Sequence, residues 1–176
     1  KHFFHYKYDY REEWLRFIRT LSSSEQNIPL PERVIRAMAQ MLDCPGGVLW
    51  VRRDNGWFEP EGRWNMEFPS LANEPVDSAL ARFLEVQKWV INLDEYRRDP
   101  GLYKSLGDLD MPQWLQDVPN AWLISPLVLH ERLLGFVVLA RSPARHQHFN
   151  WEDSDLLKTS GSEAASHLAQ HTISQA

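Results

Sequence analysis

Apolar and polar positions divide the chain into blocks of different period. Trp14, Phe17, Ile18 and Leu21 recur at i, i+3, i+4 and i+7, and this stripe predicts an amphipathic helix over 10–21. Asp9 stands at its N-cap with Glu12 three residues on, as in a capping box. Ser22–Asn27 is a polar loop. Pro31 suits the first turn of a second helix, with Val34, Ile35, Met38 and Leu42 facing inward and Pro45-Gly46-Gly47 stopping it. Val48–Arg52 reads as a short apolar strand. Asp54-Asn55-Gly56 follows as a hairpin turn, because Asn-Gly tolerates positive φ, and Trp57–Trp64 is the returning strand.

Phe68–Glu74 reads as loop, Pro75–Val86 as a short helix with Ala79, Leu80, Phe83 and Leu84 inward, and Trp89-Val90-Ile91 as a third strand. Asp94–Pro119 shows no period and holds several Pro and Gly; long irregular segments inside a compact domain are usually lids or mobile loops. The strongest signal is Ala121–Arg141, AWLISPLVLHERLLGFVVLAR. Two runs rich in Val, Ile and Leu flank a polar centre, His130-Glu131-Arg132, and predict an antiparallel hairpin in the middle of a sheet. Leu123, Leu127, Phe136 and Val138 should be buried there. Asn150 or Trp151 then precedes Glu152, Asp153 and Asp155, acids that favour a helix start. Leu156, Leu157, Ala164, Ala165 and Leu168 continue at helical spacing. Hairpins at both ends of the order predict mostly antiparallel pairing and an α+β fold.

Composition adds bounds. The 176 residues suffice for one sizeable core, and 43% apolar content argues for a globular chain. A net charge of −5 without a long basic run argues against nucleic-acid binding through a phosphate-neutralising face. Of eight tryptophans, most should fill the core and one or two line a pocket. The single cysteine, Cys44, makes no internal disulfide, which fits a reducing cytoplasm, and reads as a small buried apolar residue. No run of 18 apolar residues is present, so this stretch predicts no membrane contact of its own. The chain begins at Lys1 and reads as a fragment of a longer protein.

The element order and the C-terminal motifs resemble a GAF domain, a small-molecule sensor module. The residues that carry the likeness are Ser125-Pro126-Leu127, Leu134-Gly135-Phe136-Val137-Val138-Leu139, Phe149, and Asp155-Leu156-Leu157. FFHYKYDYREEWLRFIRTLS is similar to the segment leading into the GAF domain of sensor histidine kinases of the PEP-CTERM system, membrane-anchored proteins with a C-terminal kinase core. The resemblance implies a GAF-like sheet of about five or six antiparallel strands. The N- and C-terminal helices would lie on one face, with loops and short helices enclosing a ligand on the other. It also implies that 1–29 is a linker and signalling helix and 30–172 the sensor domain. Two family signatures are incomplete. Phe149 and Asp153 have the separation of the cyclic-nucleotide motif, but Ser154 replaces its Glu and no Asn-Lys pair precedes them. Cys44 lies too early to hold a bilin.

The remaining chemistry is sparse. No Gly-rich nucleotide loop or kinase acceptor box is present, so no enzyme activity is expected of this stretch. His167 and His171 share a helix face at i, i+4, and His146 and His148 lie in a polar loop. Neither pair has a third ligand in sequence, so solvated histidines are the simpler account and no metal is expected. Ser125 lacks a Gly-x-Ser-x-Gly elbow. Tyr96, Arg97, Arg98, Tyr103 and Trp114 cluster in the irregular region, where aromatics beside paired arginines can hold a planar or anionic ligand. With Trp89 and Trp122 they form the expected site, between the sheet and 92–119. The ligand itself is left open.

The reading that results is a regulatory, ligand-sensing module of a membrane-anchored two-component kinase, on the cytoplasmic side, with the kinase core elsewhere in the same polypeptide. A homodimer is expected through the terminal helices, using Trp14, Phe17, Leu21, Leu168 and Ile173. A ligand-free dimerisation spacer on the same fold is the alternative, and a free-standing methionine sulfoxide reductase a distant third that one cysteine does not support.

Overall fold

The computed structural model describes residues 9–23, 27–67, 73–142 and 148–175, with side chains through 171. Two helices open the chain, α1 (Tyr10–Ser22) and α2 (Leu30–Met41). The strands are β1 (Gly47–Arg52), β2 (Trp57–Trp64), β3 (Glu74–Pro75), β4 (Ile91–Asn92), β5 (Ala121–Leu129) and β6 (Arg132–Ala140). Helices α3 (Ala79–Gln87), α4 (Leu93–Arg98), α5 (Pro100–Gly107) and α6 (Gln113–Gln116) separate β3 from β5, and α7 (Trp151–Gln175) closes the chain. The sheet order is β3-β2-β1-β6-β5-β4, and every pair is antiparallel.

The β5–β6 hairpin sits inside the sheet, as its unbroken apolar runs require: both faces of such a strand must be covered. Leu123, Leu127, Phe136 and Val138 are fully buried. The turn is made by His130 and Glu131, both at positive φ (49° and 66°), a tight hairpin turn without Asn or Gly.

Each sheet face carries its own core. Alternating strand residues feed the two: Leu49, Val137 and Leu139 meet α1, α2 and α7, while Val48, Trp50, Phe136 and Val138 meet the layer of α3–α6. Helix α1, expected to precede the domain, packs onto it, with Phe17 and Leu21 fully buried among α2 and α7 residues. Those two side chains, and Leu168 of α7 in the same core, are therefore unavailable for a dimer contact. Ile173 lies where side chains are outside the described residues.

The helix starts follow local chemistry. Asp9 caps α1 by accepting from Glu12 N at 3.2 Å. Asn150 Oδ1 accepts from the amides of Glu152 and Asp153 (3.0 and 3.2 Å), and Asp153 Oδ2 accepts from Asn150 N at 2.8 Å, a reciprocal capping box at the start of α7.

Three segments differ from expectation. The stretch 94–119 is largely helical, in pieces of six, eight and four residues. So few turns cannot display a 3.6 period, and Pro and Gly punctuate the pieces. The helix expected from Pro75 starts at Ala79, because Ser78 Oγ accepts from Ala81 N (3.1 Å), and Glu74–Pro75 instead forms the edge strand. The third strand is Ile91–Asn92 rather than 89–91. Residues 68–72 of the expected loop lie outside the described residues.

Candidate functional site

The layer between the sheet and α3–α6 is filled by aromatic side chains. Trp50 stacks on Phe136 at 5.2 Å and meets Trp114 at 5.0 Å; Phe58 packs edge-on to Phe136 at 5.6 Å, and Phe83 meets Tyr103 at 5.8 Å. Leu109, Met111, Leu115 and Val118 close the layer from the 92–119 segment. Trp89, Tyr96, Tyr103, Trp114 and Trp122 therefore do not wall one chamber there.

Trp122 shows why. Plain alternation places it on the face of Ile124, toward 92–119. The β5–β6 register slips between Ala121 and Leu123, which pair with Ala140 and Leu139, so Trp122 is an extra residue in a bulge. Trp122 and Leu123 both join the core of α1, α2 and α7, and Ile124 resumes the other face. A one-residue slip exchanges faces.

The bulge brings Trp122 to the start of α7. Its ring lies edge-on to Phe149 at 6.2 Å, with the Arg141 guanidinium at 5.8 Å from its centroid. Arg97, Arg98, Asn92, Asp94 and His148 join Trp122 and Phe149 around an open cleft of about 540 Å³. Asp94 pairs with Arg141 and lies 3.7 Å from Arg97, while Arg98 has no hydrogen-bond or ion-pair partner among the described residues. Among the described residues, the guanidinium groups of Arg97 and Arg98 in the cleft and of Arg141 beside it meet the single carboxylate of Asp94 and leave this corner positive, with two aromatic rings beside them. Such a set suits a planar or anionic ligand.

Trp89 and Tyr103 line a second cleft, of about 530 Å³, which shares Asn92 and Phe149 with the first. Asn92 is the hinge piece between them. Its side chain caps α4, accepting from Asp94 N and Glu95 N, and its N–H donates to the Tyr103 hydroxyl at 3.2 Å. That hydroxyl donates to Glu95 Oε1 at 2.7 Å. Burial and then the Glu95 contact push the phenol's pKa upward, so it stays a donor at neutral pH. Tyr96 packs edge-on to Tyr103 at 5.8 Å. Trp114 belongs elsewhere: its Nε1 donates to Glu74 Oε1 at 3.0 Å.

The seven expected residues are thus split among two adjoining clefts and the core. Sequence reasoning missed Asn92, Asp94 and Arg141, whose roles arise from caps and pairings across the chain. Phe149 was singled out as a motif residue and for its spacing to Asp153, not as part of the site, and Asp153 is occupied in the α7 capping box. His167 Nδ1 lies 3.0 Å from Glu163 O on its own helix, and among the described residues no three His, Cys, Asp or Glu side chains converge on a metal position. No helix among them is long and apolar enough to cross a membrane.

A six-stranded antiparallel sheet, faced on one side by the terminal helices and on the other by short helices, is the α+β architecture of GAF domains, regulatory sensing modules of diverse signalling proteins. The chain belongs to the GAF domain family, whose model matches residues 30–168. Among solved structures it is similar to the GAF domain of a phosphoenolpyruvate-protein phosphotransferase from Coxiella burnetii (13% identity, TM-score 0.68, covering 94% of this chain and 96% of that one). The corresponding domain from Acinetobacter is also similar (12%, TM-score 0.65, 93% and 94%). So is the chromophore-binding domain of a Stigmatella aurantiaca phytochrome (11%, TM-score 0.61), where it covers 94% of this chain and 62% of the other. At these identities the likeness is one of fold. No curated protein matches the chain in sequence.

Proposed function

We propose that this chain is the ligand-sensing regulatory domain of a membrane-anchored two-component sensor histidine kinase of the PEP-CTERM-system type, acting on a kinase core in the same polypeptide and on the cytoplasmic side of the membrane. The N-terminal sequence likeness supports that context. The observation that carries the sensing role is the junction of the arginine cleft with the start of α7. Asn92, Arg97 and Arg98 come from the short-helix layer, and Phe149 stands two residues before a continuous 25-residue helix. A small anionic ligand bridging these parts would favour one placement of α7, and a rigid helix carries such a bias along its length. Coupling of this kind requires unequal affinity for two placements. Self-association would use the outer face of α1, where Leu15 is 50% exposed, in place of the buried Phe17 and Leu21.

Native mass spectrometry of freshly purified protein tests the reading, since it reports retained ligand mass and oligomeric state together. A retained anionic species that Arg98→Ala and Arg97→Ala release, without unfolding, is the expected result. The filled aromatic layer under 92–119 favours a second reading, a ligand-free dimerisation spacer. A dimer with no retained ligand, and no tryptophan fluorescence response to a panel of anionic metabolites, would select the spacer.

A further inference from the structure

Among the described residues, arginines already cover three aromatic faces. Arg36 lies over Trp64 at 5.5 Å, Arg52 over Phe58 at 4.9 Å and Arg141 over Trp122 at 5.8 Å. Among the described residues no arginine covers Trp89 or Trp151. They are 37% and 64% exposed, and among the described residues neither indole has a hydrogen bond, a stacked ring or a cation. Both line the 530 Å³ cleft, together with Phe149 and the carboxylates of Glu95 and Asp155. Asp155 has no ion-pair partner among the described residues, and Glu95 spends one oxygen on the Tyr103 hydroxyl. Among the described residues the cleft's one basic lining residue is Lys158, an exposed side chain one turn beyond Asp155 that also borders the neighbouring depression beside Gln87 and Pro126.

An aromatic face carries negative potential and attracts cations, most effectively when they are weakly hydrated. Exposed indoles beside carboxylates without an ion pair among the described residues therefore select a positive, partly apolar guest. A bare metal ion fits less well, since only two carboxylates line the cleft and among the described residues no three His, Cys, Asp or Glu side chains converge on a metal position. The sign is also opposite to that of the adjoining arginine cleft, so the two clefts discriminate between guests. We propose that this second cleft binds a compact organic cation of the quaternary-ammonium class, seated against Trp89 and Trp151 with Glu95 and Asp155 as counter-charges. The proposal is independent of what the arginine cleft binds.

The test is a titration of the 176-residue chain with choline and with its neutral isostere, in which carbon replaces the ammonium nitrogen, followed by tryptophan fluorescence and calorimetry. Choline should bind at least about tenfold more tightly than the isostere. Trp89→Ala and Asp155→Asn should each weaken choline about tenfold, Trp89→Phe should restore part of that loss, and Trp57→Ala, a half-exposed indole on β2, should change nothing. Thermal melts confirm that each variant is folded. Equal binding of choline and isostere, choline affinity unchanged by Trp89→Ala in folded protein, or no saturable binding at millimolar choline would each overturn the proposal.

Discussion

The indole nitrogen of Trp114 donates a 3.0 Å hydrogen bond to Glu74 Oε1, joining helix α6 to edge strand β3 across the filled aromatic layer. Glu74 is only 5% exposed, so its carboxylate has left water for this partner. Trp114→Phe keeps the ring against Trp50 but removes the donor. It should destabilise the domain by about 1–3 kcal/mol, the cost of leaving a buried polar group unpaired. Glu74→Gln retains an acceptor and should cost less. Urea midpoints at unchanged slope check this, and the reverse order of the two variants would refute the role assigned to the bond.

Phe136 is the meeting point of that layer, stacked on Trp50 and edge-on to Phe58. Phe136→Ala should cost ~3–5 kcal/mol, because the rigid sheet limits collapse around the void. Equilibrium denaturation followed by circular dichroism gives the value; a loss under about 1 kcal/mol would contradict the packing described.

Two glycine substitutions should act in opposite directions. A Cβ on Gly161 would lie 2.6 Å from the Pro126 carbonyl oxygen, where α7 crosses β5. Alanine's helix preference of about 1 kcal/mol is then outweighed, and Gly161→Ala should destabilise by ~1–3 kcal/mol. A Cβ on Gly101 meets only Asp99 Oδ1, at 3.5 Å. Gly101→Ala should therefore stabilise α5 by about 0.4–1 kcal/mol. Thermal melts of both variants decide the pair.

Cys44 is buried, and burial, followed by Asp43 and Asp153, pushes its thiol from 9.0 up to about 12. Thiolate is the reactive form, so native protein at pH 8 should label slowly with a thiol reagent and denatured protein at once. Since the folded-state value is the higher one, the contribution to stability is complete below pH 9.0 and declines as pH rises toward about 12. Cys44→Ala should remove that part of the alkaline decline. Rapid labelling of native protein would contradict the burial.

The parts legible in the sequence were those that rest on local periodicity and local chemistry. The stripe Trp14–Leu21, the Asn-Gly turn before Trp57 and the twin apolar runs around His130 each announce their element, because helix and strand impose periods of 3.6 and 2 on what must be buried. Mostly antiparallel pairing follows from that order, while the placement of the terminal helices on one face came from the resemblance to GAF domains. Short pieces escaped: α4, α5 and α6 span too few turns to show a period, and the two-residue strands β3 and β4 are defined only by the partner they pair with.

The candidate site was decided by tertiary structure. Arg97, Arg98 and Trp122 were recognisable as ligand-binding types, but the face Trp122 occupies depends on one bulge residue opposite Leu139 and Ala140, which alternation cannot show. The closeness of Arg141 to Asp94, and of Phe149 to Trp122, joins segments far apart in the chain. Burial patterns fix which residues avoid water, because that depends on each residue and its near neighbours. Which of them meet depends on strand register and helix placement, and these are set by the packing of the whole domain.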